Sequence, residues 1–116
     1  MPLLRPLAAA ALAVLLASSA GAHATKEGTV PADGATLAAS PPVIALMFDA
    51  PMRITRLLVL NAAGDEQPLA QKDGTTPARR YQAVPEPLAP GAYEVRWRGM
   101  AEDGHTMRGS FAFTVE

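Results

Sequence analysis

Downstream of residue 22 no segment keeps an apolar residue every three to four positions. Short apolar alternations recur instead between turn-forming residues, a pattern that commits the chain to β structure. Tyr93, Val95 and Trp97 alternate with Glu94, Arg96 and Arg98, which gives one apolar and one charged face. Phe111, Phe113 and Val115 alternate with Ser110, Ala112 and Thr114 in the same way. The continuous apolar run at residues 43–48 predicts a central strand buried on both faces. A second run at residues 54–60 predicts another strand, ended by Asn61-Ala62-Ala63-Gly64, and weaker strands are expected at 67–70 and 79–84. Pro31-Ala32-Asp33-Gly34, Asp73-Gly74, Pro85-Glu86-Pro87 and Ala89-Pro90-Gly91 supply the turns. The 11 prolines and 9 glycines are high for a helical chain and ordinary for a turn-rich β domain. Six or seven short strands, spaced about ten residues apart, fit one all-β domain, a small sandwich or Greek-key barrel.

The first twenty-two residues obey a different rule. Arg5 precedes an unbroken apolar run over residues 7–17, and Ser18-Ser19 leads into Ala20-Gly21-Ala22. These are the three parts of a secretory signal, with cleavage expected after Ala22. A membrane-spanning helix needs ~20 apolar residues, more than this run provides. Residues 1–22 are therefore read as a signal peptide and 23–116 as the mature domain, large enough to fold alone as a monomer. No second apolar run of membrane length follows. The mature chain is expected outside the bilayer, beyond the inner membrane, which in a bacterium with two membranes is the periplasm.

Composition removes several classes of function. The absence of cysteine excludes a disulfide scaffold, a cysteine-based zinc or iron–sulfur site and thiol catalysis. The net charge of −1 becomes −2 once Arg5 is removed, which argues against a nucleic-acid binder.

The chain has two histidines, His23 and His105. Cleavage after Ala22 makes His23 the first residue, so its free α-amine and ring Nδ1 can close one chelate ring on a metal. The amine's reference pKa of about 7.7–8.0 lets a metal displace its proton near neutrality. Amine and imidazole nitrogens in a tetragonal arrangement suit Cu(II). His105 lies in Asp103-Gly104-His105. In extended backbone, side chains two apart point to one side, so Asp103 and His105 can converge. Each signal alone has an ordinary reading: cleavage sites tolerate many residues, and Asp-Gly, present three times after residue 22, usually marks a turn.

Together they match a family. The stretch from His23 to Ala35, with Pro31 eight residues after the histidine and then an Asp33-Gly34 turn, the run Pro42-Val43-Ile44-Ala45-Leu46-Met47-Phe48, and the block Gly91-Ala92-Tyr93-Glu94-Val95-Arg96-Trp97-Arg98, Asp103-Gly104-His105 and Gly109-Ser110-Phe111-Ala112-Phe113-Thr114-Val115 resemble the copper-resistance protein C (CopC) family. The resemblance implies an Ig-like β-sandwich or Greek-key β-barrel of about seven short strands. It also implies a Cu(II) site in which His23 binds through its α-amine and Nδ1, His105 adds a third nitrogen and Asp103 an oxygen. The implied function is a periplasmic copper carrier or buffer, not an enzyme, working beside an inner-membrane copper transporter.

This chain departs from the family pattern at Lys26, where leucine is common, and at Thr29, where serine is common. Asp49-Ala50-Pro51 stands where a glutamate often follows the first core strand, and Asp49 is the candidate replacement near the site. Some members bind Cu(I) through a methionine-rich loop. Here Met47, Met52, Met100 and Met107 follow the signal, with none between Leu57 and Tyr81, so no dedicated Cu(I) site is expected. Met47 reads as core filler, and Met100 and Met107, which flank the Asp103–His105 turn, read as packing residues. Two other functions fit the histidines. One is a copper oxidase or monooxygenase with a histidine brace, disfavoured because Asp103 would fill a position that oxygen activation needs. The other is a metal-free structural β-sandwich.

Overall fold

The computed structural model describes residues 26–116; His23 and the signal segment lie outside the described residues. Seven strands follow in order: β1 (Lys26–Val30), β2 (Ala35–Leu37), β3 (Ile44–Asn61), β4 (Leu69–Gln71), β5 (Ala78–Pro85), β6 (Gly91–Ala101) and β7 (Thr106–Val115). Hydrogen bonding orders them β2-β7-β6-β3-β5-β4, with β1 also on β3. All pairs are antiparallel except β2 with β7.

The two apolar runs expected as separate strands form one 18-residue strand, β3. Its first half pairs with β1 and β5, through Phe48 opposite Lys26 and Ile44 opposite Ala83. Its second half pairs with β6, from Met52 opposite Ala101 to Asn61 opposite Tyr93. Asp49-Ala50-Pro51 is therefore a bend within a strand and not a turn between two. A strand that changes partners at a bend is how one curled sheet makes both layers of a sandwich.

The core fills the space between those layers. Ile44, Leu46 and Phe48 enter from the first half of β3, Leu57 and Val59 from the second. Tyr93, Val95 and Trp97 of β6 and Phe111, Phe113 and Val115 of β7 complete it, as their alternation requires. Trp97, 5% exposed, meets the Phe48 ring edge-on at 5.3 Å, and Tyr93 stacks on Phe113 at 5.6 Å. The Tyr93 hydroxyl donates to the Ala89 carbonyl four residues upstream, a tyrosine corner of the kind found in immunoglobulin-type sandwiches. Opposite Trp97 in β7 is Gly109, whose missing side chain leaves the space the indole occupies.

Met47 corrects one expectation. Ile44, Leu46 and Phe48 share the inner face, so Met47 falls on the other side, where it is half-buried with Arg80 Nη1 at 3.5 Å from its sulfur. The methionine that fills the core is Met52, 1% exposed.

Candidate metal centre

The β6–β7 hairpin closes through a tight turn. Gly104 N–H donates to the Ala101 carbonyl and Ala101 N–H to the His105 carbonyl, each at 2.9 Å. Gly104 has φ +87°, a left-handed conformation in which glycine is unstrained and which closes three-residue hairpin loops. That turn places Asp103 and His105 side by side. Asp103 Oδ1 accepts the backbone N–H of His105 at 3.0 Å, and Oδ2 lies 2.8 Å from His105 Nδ1. The side-chain exposures differ, 66% for His105 and 25% for Asp103, so a sheltered carboxylate holds a ring that solvent reaches. Asp73 makes the same backbone contact, its Oδ1 accepting Thr75 N–H at 3.1 Å. The Asp-Gly turn alone is thus structural, and the third one differs in holding an imidazole beside its carboxylate.

Other candidate residues gather at this end of the sandwich. Met52 opposite Ala101 brings the bend of β3 to the strand from which the turn departs. Asp49 sits in that bend, three residues before Met52, with its side chain exposed. Lys26, the start of β1, is opposite Phe48 at the same bend. The two flanking methionines part company. Met100 pairs with Thr106 and is 38% exposed, whereas Met107 pairs with Gly99 and packs half-buried against the core. Packing therefore accounts for Met107 and not for Met100. Among the described residues no three His, Cys, Asp or Glu side chains form a metal cluster. The turn brings one carboxylate and one imidazole together, and His23 lies outside the described residues.

A family model for the CopC domain matches residues 26–116. The chain belongs to the CopC family. Copper resistance protein C of Escherichia coli is 32% identical, with 87% of each chain aligned. Among solved structures, CopC from Methylosinus trichosporium OB3b superposes with a TM-score of 0.69 at 24% identity, covering 81% of this chain and 94% of that one. PcoC, a methionine-rich copper resistance protein from Escherichia coli, superposes with a TM-score of 0.66 at 27% identity, covering 82% and 100%. The CopC resemblance drawn from the three sequence stretches is correct, and so is the seven-strand β-sandwich it implied.

Proposed function

We propose that this CopC domain is a periplasmic Cu(II) carrier. After removal of residues 1–22 it binds the ion through the α-amine and Nδ1 of His23, the imidazole of His105 and a carboxylate oxygen of Asp103. The observation that carries this reading is the contact between His105 Nδ1 and Asp103 Oδ2 at 2.8 Å. Asp103 is anchored separately, through Oδ1, by a backbone N–H, so the carboxylate keeps its place when its second oxygen changes partner. His23 lies three residues before Lys26, a stretch that spans at most about 10 Å. Lys26 begins β1 opposite Phe48, and Met52 of the same bend is opposite Ala101, where the turn departs, which supports a site shared by an N-terminal histidine and the turn. Three nitrogens and one oxygen match the tetragonal preference of Cu(II), and the carboxylate offsets part of the ion's charge. With Asp103 filling a position that oxygen activation needs, the site holds copper and releases it to a partner, such as an inner-membrane copper transporter. It is not a site for turnover.

The test is Cu(II) titration, followed by electron paramagnetic resonance, of the secreted protein beginning at His23 and of the same protein with Gly-Ser left in front of it. The processed form is expected to bind one copper with three nitrogen ligands. The extended form should bind much more weakly, because its amine has become an amide, yet keep its melting temperature without copper. Equal affinity in the two forms refutes the site.

A further inference from the structure

The outer face of the sheet formed by the second half of β3 with β6 and β7 carries a charge pattern that the metal centre does not use. Arg56 of β3 is directly opposite Arg98 of β6, which is directly opposite Arg108 of β7. Three guanidinium side chains thus stand in one row across three adjacent strands. The next row along, on the side of the Asp103–His105 turn, contains Arg53 and Met100, and the row on the other side contains Arg96.

A bulge builds this arrangement. Arg53 and Arg56 are three apart and would face opposite ways in a regular strand, but the register shifts between Ile54 and Arg56. The extra residue, Thr55, turns Arg56 outward. It is held there by its hydroxyl donating to the Arg98 carbonyl at 3.2 Å, while Ile54 N–H donates to the Gly74 carbonyl at 3.1 Å.

Like charges directly opposite one another on a sheet repel. Arg96 is neutralised by Glu94, with Nε 3.0 Å from Oε1, and Arg53 Nε donates to the Thr75 carbonyl. Arg56, Arg98 and Arg108 have no carboxylate within ion-pair distance among the described residues. They line an open concavity of about 600 Å3 whose floor includes Leu58. The charge is also partitioned across the domain. This face carries five of the nine cations that follow the signal and one carboxylate, Glu94, leaving four cations and ten carboxylates elsewhere on an acidic chain.

We infer that the arginine row Arg56–Arg98–Arg108 is a docking surface for an acidic segment of a partner polypeptide. Charge complementarity requires an anionic partner, and three planar forks at strand spacing of about 4.8 Å suit successive carboxylates of a polypeptide. The cations on this face are all arginine, with the exposed Met100 beside them. Arginine and methionine are enriched where proteins meet, whereas lysine, absent from this face, is depleted there. Glu94, two rows from the arginine row and opposite Leu60, cancels Arg96, so the uncompensated charge is confined to one narrow row and does not spread over the face as a flat anionic membrane would require. A second copy would have to join its acidic remainder to this face head-to-tail, an arrangement that does not close and grows into filaments. The docking does not depend on copper. If the carrier reading also holds, the partner lies beside the turn that bears Asp103 and His105.

The experiment uses the secreted protein without metal and a fluorescein-labelled peptide of ten glutamates, with binding read by anisotropy at low salt. Wild type should bind and lose the peptide as salt rises. The variant R56Q/R98Q/R108Q should lose at least tenfold in affinity, and the charge-matched K72Q/R79Q/R80Q should stay within twofold of wild type. Equal losses in the two variants would mean that net charge alone attracts the peptide and would overturn the proposal. Tighter binding of phosphatidylglycerol vesicles than of the peptide, through the same three arginines, would overturn it in favour of a membrane. Self-association in sedimentation that R56Q/R98Q/R108Q abolishes would overturn it in favour of a second copy. The triple variant should melt at or above the wild-type temperature, since the row no longer repels itself. A lower melting temperature would show that the arginines are held by contacts within the chain, and would also overturn the proposal.

Discussion

Gly109→Ala tests the packing that aligns the hairpin. A Cβ at Gly109 would lie 2.7 Å from Trp97 Nε1 and 2.8 Å from Cε2 and Cζ2, closer than carbon atoms approach. The atoms it meets belong to a rigid indole that is 5% exposed and already in edge contact with Phe48. Trp97 Nε1 has no acceptor among the described residues, so displacing the indole breaks no hydrogen bond and the cost is one of packing alone. Two effects oppose each other. Replacing a strand glycine with alanine gains about 0.5–1 kcal/mol from reduced chain entropy. Overpacking a close-packed core costs about 1–3 kcal/mol, so the clash wins. The net loss, roughly 0–2.5 kcal/mol and centred on about 1 kcal/mol, corresponds to a fall of up to about 20 °C in melting temperature for a domain of this size. Thermal unfolding followed by the fluorescence of the single tryptophan reads it directly. In a Trp97→Phe background the smaller ring leaves room, so the cost of Gly109→Ala should shrink or change sign, a coupling of about 1 kcal/mol. Gly109→Ala that melts at or above wild type, or costs the same in both backgrounds, would refute the reasoning.

His105→Ala and Asp103→Ala should both weaken Cu(II) binding, the histidine change more, because water replaces a lost oxygen ligand better than a lost nitrogen; copper titration of the processed variants checks this, and unchanged affinity in His105→Ala would remove that residue from the site. Tyr81 provides a pH test: its phenol lies 2.8 Å from both Gln71 Oε1 and the Lys72 carbonyl, and burial, then the nearby charge of Asp73, hold its pKa above the ordinary 10.0. The unfolded chain therefore loses this proton first, so the stabilisation is complete below pH 10 and declines as pH rises through the folded pKa. Urea unfolding at pH 8 and pH 10.5 should show a wild-type loss that Tyr81→Phe reduces.

Much of the fold was legible because period-2 alternation is written directly in β6 and β7, where each inward residue is apolar and most outward ones are polar or charged. β3 was harder. Asp49-Ala50-Pro51 has the chemistry of a turn, yet Met52 pairs with Ala78 of β5 and Ala101 of β6, so the strand passes from one neighbour to the other without stopping. β1 and β2 carry no alternation strong enough to announce them. They are strands because β3 and β7 offer them edges. The convergence of Asp103 and His105 was expected from extended backbone, but the structure achieves it through a turn, with backbone N–H and ring both held by one carboxylate. The arginine row was not legible, since nothing in the residue pattern marks the bulge that turns Arg56 to the side of Arg98.

The Trp97–Gly109 contact bears on the metal centre through register. β6 and β7 are joined by ten cross-strand pairs, and the length of the turn between Ala101 and His105 follows from where those pairs fall. Sliding one strand by one residue would send every inward side chain outward, which the apolar faces forbid. Sliding by two would preserve the faces but bring Met107 or Phe111 opposite Trp97, where the structure has room only for a residue without a side chain. The indole therefore admits one register. In that register the turn holds Asp103 two residues before His105 on a glycine at positive φ, and the carboxylate meets both the backbone and the ring of the histidine. A buried tryptophan well inside the sheet thus helps set the geometry of an exposed imidazole at its end.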